Sequence, residues 1–254
     1  MNFQNCVLAV FSPTGGTEKI AQAVMQGINM PVRVVDLCRE TAVQTVSANE
    51  LLVAALPVFG GRLPALARQR LEQLHGGGGP AVALAVYGNR EYEDALVELH
   101  DVLRDSGFVM AAAGAFVAEH SIDRSVAAGR PDAQDLQTAK EFGARAAEMI
   151  RDAETLTEVE VPGSADDTTK KTDTGPVPQT NDDCIGCGLC AAACPAAAIP
   201  PEHPDTTTAA CIGCMRCVAL CPHKARNTPA PILQRVSAFL ETRASAPKQP
   251  EVFL

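Results

Sequence analysis

Eight of the chain's ten cysteines fall in two short runs, CIGCGLCAAACP at 184–195 and CIGCMRCVALCP at 211–222. Each run has the spacing C-x₂-C-x₂-C-x₃-C-P. Three thiolates at i, i+3 and i+6 on a tight loop converge on three irons of one cubane, while the fourth begins a short helix and reaches the other cubane. The spacing therefore assigns Cys184, Cys187, Cys190 and Cys221 to one [4Fe–4S] cluster, and Cys211, Cys214, Cys217 and Cys194 to a second. Gly186, Gly188 and Gly213 leave room for backbone N–H groups to turn toward the sulfides. Pro195 and Pro222 close the two runs. Zinc would use separate four-ligand sets, often mixed with His. The duplicated spacing and the Cys-Pro endings argue against that. Disulfides need an oxidising compartment, and the sequence shows no export signal.

A second group of residues suits a different ligand. Ser12-Pro-Thr-Gly-Gly-Thr17 follows the first apolar run and leads into a helical pattern. Hydroxyls and Gly N–H groups at a helix N-terminus form an anion site. No Gly-Lys-Ser/Thr follows, so this is not a Walker A loop, and it is not GxGxxG. The loop itself has no Lys or Arg, which fits a monophosphate held by neutral donors, as flavodoxins hold FMN. An ordinary capped helix start, with Glu18 in the first turn, is the other reading. Two further loops carry Gly, amides and aromatics: Pro57-Val58-Phe59-Gly60-Gly61-Arg62 and Tyr87-Gly88-Asn89-Arg90-Glu91-Tyr92. Phe59, Tyr87 and Tyr92 fit either a flavin edge or ordinary packing. Aromatics are only 4% of the chain, so three at one edge favour the site. Arg62 and Arg90 read equally as counter-charges or as solvated residues. His120 reads as a cofactor contact or, with slightly more weight, as a strand cap.

Short apolar runs at 6–11, 31–37, 51–58, 81–87 and 108–118 alternate with helical patterns near 16–27, 63–75, 92–106 and 131–153. The runs are continuously apolar, as strands covered on both faces are. We expect five βα units, hence a parallel sheet with helices on both faces, and ligands at the C-terminal ends of its strands. Residues 1–153 form this domain. Residues 154–180, rich in Thr, Asp, Pro and Gly, form a linker, partly extended across the first domain. Residues 181–228 hold the cluster motifs, two halves offset by 27 residues. Residues 229–254 have an apolar stripe at Ile232, Leu233, Val236, Phe239 and Leu240, read as a helix docked on a domain. Their apolar end, Val252-Phe-Leu254, is read as a tail that packs.

The formal charge of −9 disfavours nucleic acid and anionic membranes and suits docking on basic patches of redox partners. No stretch approaches the ~18 apolar residues of a membrane helix, so no membrane insertion is expected. Reduced thiols and the missing leader point to the cytoplasm. Cys6 and Cys38, outside the cluster motifs, read as small buried hydrophobes.

In the order FSPTGGTEKIA, LPVFGGRLP, VYGNREYEDALVEL and the two cluster motifs, the chain resembles fusions of a flavodoxin-like domain with a two-cluster bacterial ferredoxin domain, often called EFR-type ferredoxins. The resemblance covers essentially the whole length. It implies a five-stranded sheet of order 2-1-3-4-5 with helices on both faces, plus a small α+β two-cluster ferredoxin domain. It implies FMN phosphate at Ser12, Thr14, Gly15, Gly16 and Thr17. It places the flavin ring between Pro57–Arg62 (Pro57, Val58, Phe59, Gly60, Gly61, Arg62) and Tyr87–Tyr92 (Tyr87, Gly88, Asn89, Arg90, Tyr92). With two [4Fe–4S] clusters and FMN, the expected function is electron transfer between one-electron and two-electron chemistry. A non-catalytic carrier or redox-sensing module is the alternative. Transfer needs a cluster near the flavin edge, so the cluster domain is expected to dock on the strand C-terminal edge, in cis or from the partner of a homodimer. Redox proteins are the expected partners.

Overall fold

The computed structural model describes residues 3–39, 41–164 and 175–254. Its elements in order are β1 (Asn5–Val10), α1 (Gly16–Ile28), β2 (Val32–Asp36), β3 (Gln44–Val46), β4 (Glu50–Pro57), α2 (Ala65–Leu71), β5 (Leu74–Gly76), β6 (Pro80–Tyr87), α3 (Ala95–Asp105), β7 (Val109–Val117) and α4 (Ala133–Asp152). There follow β8 (Gln179–Thr180), α5 (Leu189–Ala193), α6 (Arg216–Leu220), β9 (Arg226–Asn227), α7 (Ala230–Arg243) and β10 (Glu251–Phe253).

The main sheet runs β2-β1-β4-β6-β7-β10. The first five strands are parallel and β10 joins antiparallel. Counting only the parallel strands, this is the order 2-1-3-4-5, the flavodoxin-like doubly wound arrangement. Alternation along β1 shows the two layers. Cys6, Leu8 and Val10 face the α1 and α4 side, and Val7 and Ala9 face α2 and α3. The helices α1 and α4 touch closely. A Cβ on Gly27 would sit 1.9 Å from the Lys140 carbonyl oxygen, and one on Gly143 would sit 2.2 Å from that of Val24. Only glycine permits that approach. At the start of α4, Asp132 Oδ1 accepts from the Gln134 and Asp135 N–H groups, and Asp135 Oδ2 accepts from that of Asp132, a reciprocal cap.

Three expectations need correction. There are not five βα units: the crossover from β2 to β4 carries the short β3, paired with β5, instead of a helix. And β2 is not covered on both faces, because it is an edge strand whose Val32 and Val34 are 46% and 58% exposed. The helical pattern at 63–75 also ends early, at Leu71, before β5. Cys6 and Cys38 are buried, as expected.

After α4 the chain runs back across the first domain. The Val159 N–H donates to the Met110 carbonyl, and the Ser164 N–H to Asp94 Oδ1. Beyond the undescribed 165–174, β8 and β9 form a two-stranded ladder flanking the small helices α5 and α6. The C-terminal segment then returns to the first domain, where β10 covers the β7 edge, a way of protecting an open sheet margin. Among the described residues, no helix is long and apolar enough to cross a membrane.

Candidate functional site

At the C-terminal ends of β1, β4, β6 and β7 lies a cavity of about 260 Å³. One wall is the first domain: Thr14, Gly16, Thr17, Pro57, Val58, Phe59, Gly60, Tyr87, Gly88 and Arg90. Gly213 and Cys214 of the second cysteine run line it as well, as do Val236, Phe239 and Leu240 of α7. A neighbouring cavity of about 120 Å³ shares Thr14, Gly16, Glu119, His120 and Ser121 and adds Lys19, Arg124 and Arg130. Together they fall in the ~300–1,000 Å³ range of cofactor-sized sites.

The 12–17 loop meets the demands of a phosphate cradle. Gly15, with φ +91°, caps α1 without any side-chain bond. The N–H groups of Gly16 and Thr17 stand in the first turn, where a helix has no internal acceptor for them, and both residues line the large cavity. A Cβ on Gly16 would meet the Ala118 Cβ at 2.9 Å. Ser12 takes a different part: its Oγ accepts the Glu18 N–H at 3.0 Å, and it lines neither cavity. It shapes the loop from behind. The loop itself carries no cation, but the fold brings Lys19 and Arg124 to this end of the site.

The other two loops divide similarly. Arg62 is neither solvated nor a cavity cation: it is buried and its Nη2 bonds Glu98 Oε1 at 2.6 Å. Glu98 also accepts the Leu63 N–H at 2.7 Å, which fixes the turn holding Phe59 and Gly60. Arg90 does line the cavity, paired with Glu93 at 2.5 Å. Tyr87 also faces it, its ring centroid 5.4 Å from that of Tyr92, and burial pushes its hydroxyl up to about 12. Tyr92 lies behind, donating to Glu251 at 2.8 Å. Asn89 clamps the C-terminal segment, donating to the Ala244 and Ala246 carbonyls and accepting the Lys248 N–H. Gly61 and Gly15 line neither cavity.

His120 is the residue the sequence undersold. It lines both cavities, and burial holds its pKa below the ordinary value, with Asp123 opposing and Arg90 assisting. Its Nδ1 faces the Ile122 and Asp123 N–H groups at 3.3 and 3.1 Å. Nδ1 is thus the acceptor and the neutral ring carries its proton on Nε2, a donor for whatever occupies the cavity. The stripe on α7 was legible, but its target was not. The Ser125 hydroxyl, and next to it Ser237 of α7, bond Asp123 and hold that carboxylate below the usual range.

The cysteines form two sets. Cys184, Cys187, Cys190 and Cys221 ring one small cavity together with Arg226. Cys211, Cys214, Cys217 and Cys194 lie close enough for each of the first three thiols to feel Cys194. Among the described residues, no three His, Cys, Asp or Glu side chains converge on a point for a single ion; the four sulfurs of the first set surround a space instead. Backbone N–H groups reach sulfur at matching places, Ala198 to Cys194 at 3.2 Å and Ala225 to Cys221 at 3.3 Å. Burial pushes the Cys214 and Cys217 thiols up to about 12 and 11. Burial thus keeps these thiols protonated unless a cation compensates the thiolate charge. Cys221 differs: against burial, N–H groups of Arg226, Ala225, His223 and Lys224 hold it below the ordinary thiol value.

Two arginines join the halves of the molecule. Arg216 Nη1 donates to the Ser12 carbonyl at 3.1 Å, and Arg70 Nη2 to the Pro195 carbonyl at 2.6 Å.

A family model for a 4Fe-4S dicluster domain matches residues 177–229. No curated protein matches the chain significantly. Similar solved structures include a flavodoxin from the domain Archaea (16% identity, 58% of this chain and 99% of that one, TM-score 0.40). Others are a WrbA-like flavodoxin from Agrobacterium tumefaciens (16%, 58% and 98%, 0.40) and oxidised flavodoxin 1 from Bacillus cereus (15%, 57% and 97%, 0.39). At such scores the fold assignment rests on the strand order itself. The chain thus joins a flavodoxin-like α/β unit to a 4Fe-4S dicluster segment, the arrangement of the flavodoxin–ferredoxin fusions that its sequence resembles.

Proposed function

We propose that the protein is an iron–sulfur flavoprotein that binds FMN at the strand ends and two [4Fe–4S] clusters on its eight motif cysteines, and passes electrons between them. One observation carries this reading: Cys214 lines the same cavity as the phosphate-type loop and Tyr87. FMN would supply exchange of one or two electrons, and each cluster exchange of one. The chain's own residues do the rest. Gly16 and Thr17 N–H, with the Thr14 hydroxyl, hold phosphate; Phe59 and Tyr87 flank the ring; His120 Nε2–H donates at its edge. Gly213 and Cys214 exclude water between the two centres.

The apolar side chains of α7 beside Tyr87 in the cavity lining favour the carrier version of this function over a reductase with its own small substrate. Protein purified without oxygen should contain about eight irons and one FMN per chain, all bleached by dithionite. Eight irons with no flavin, and none taken up on adding FMN, would remove the flavodoxin half of the proposal.

A further inference from the structure

The two cysteine runs are copies in sequence and differ in surroundings. In CIGC of the second run, Ile212 is 9% exposed and Cys214 8%, packed on the core of the first domain. In CIGC of the first run, the matching Ile185 is 66% exposed and Cys187 is exposed. Leu189, two residues on, is 52% exposed. Ile185, Cys187 and Leu189 all rim the cavity of the first cysteine set. The side of the duplicated motif that one run buries against a flavin-type domain is, on the other run, apolar and uncovered.

We propose that Ile185, Leu189 and the edge of Cys187 form the docking surface for a separate one-electron carrier protein, which exchanges electrons with the cluster beneath. This rests on the cofactor reading above. The occupant follows from three observations. The flavin-type cavity is walled by Cys214 and α7, which leaves the first cluster as the exposed terminal. A cubane exchanges single electrons, so the partner is a one-electron carrier. The exposed Asp182 and Asp183 precede Cys184 on the Ile185 side, while the exposed Lys224 follows Cys221 on the other, so the partner's contact face is apolar with a basic margin toward Asp182 and Asp183. Each encounter moves one electron: the carrier's metal centre loses one, the cluster beside Cys187 gains one, and no bond or proton changes. The reverse flow uses the same contact.

The test uses the full chain with clusters and FMN in place, titrated at low salt with zinc-substituted cytochrome c, a basic carrier protein whose fluorescence reports binding without turnover of this protein. Ile185→Lys and Leu189→Lys are compared with wild type and with Val34→Lys, which adds the same charge at the exposed β2 edge. We expect each of the first two to raise Kd roughly 10-fold or more and Val34→Lys to change it less than about twofold, with iron and flavin content equal in all four. No weakening by the first two overturns the proposal, as does equal weakening by all three. So does a wild-type dimer in sedimentation that Ile185→Lys dissolves, since the surface would then belong to a second copy. Failure of the underlying reading shows separately, as wild-type protein lacking the irons or the flavin, and takes the proposal with it.

Discussion

The first and second cysteine runs share one spacing, yet one lies open and the other is built into a wall. Their matched residues separate at once: Ile185 against Ile212, Gly188 against Met215, Leu189 against Arg216. On the buried side Met215 is 2% exposed, and Arg216 reaches over to the Ser12 and Pro13 carbonyls. The open side keeps Gly and Leu. A duplicated motif fixes what each half binds. The residues between the ligands fix which neighbour each half has.

The comparison breaks most sharply at the cysteines. Cys214→Ala should abolish transfer between cluster and flavin within the molecule, whereas Cys187→Ala should leave that step and stop exchange with an outside carrier. Flash reduction, followed separately at cluster and flavin absorbance, distinguishes the two. Next are the paired isoleucines. Ile212→Asp loses ~1.5–3 kcal/mol of apolar burial and buries a carboxylate as well, while Ile185→Asp should stay within ~0.5 kcal/mol of wild type. Denaturant unfolding of the full chain measures both.

A smaller contrast lies at the position after Gly188 and Met215. Arg216→Ala removes the bonds that tie the cluster loop to the phosphate-type loop and should cost ~1–3 kcal/mol, with weaker FMN retention on dialysis. Leu189→Ala should alter neither. The smallest effect is at His120, which touches the flavin-type site but neither cluster set. Unfolded, its imidazole takes a proton near 6.5; folded, burial holds the proton off. Its contribution to stability is therefore whole above about pH 6.5 and is lost as pH falls toward the lowered folded value. His120→Asn should flatten the fall in melting temperature below pH 6.5.

The motif cysteines and the loop at 12–17 were legible because ligand spacing and helix starts are local. The parallel sheet was legible because continuous apolar runs alternating with helical patterns point to βα units, whereas its strand order came from the resemblance alone. What could not be read locally was direction. Nothing in the sequence near Arg62 names Glu98, 36 residues on, as its partner. Nothing in the sequence near Ser12 shows that its Oγ accepts the Glu18 N–H. β2 reads VRVVD, with Arg33 and Asp36 among its valines, and its edge position without a crossover helix leaves Val34 exposed. The α7 stripe announced a docked helix, but its place over the cavity depends on Asn89 holding the segment that follows it.

The central claim is that the buried cysteine set stands next to the flavin within one chain. The most direct measurement is the rate at which an electron delivered by a light flash passes from cluster to flavin, followed over a wide range of protein concentration. The account predicts a first-order step whose rate does not change with concentration and is lost in Cys214→Ala. A rate that rises in proportion to concentration, or one that survives in Cys214→Ala, would contradict it.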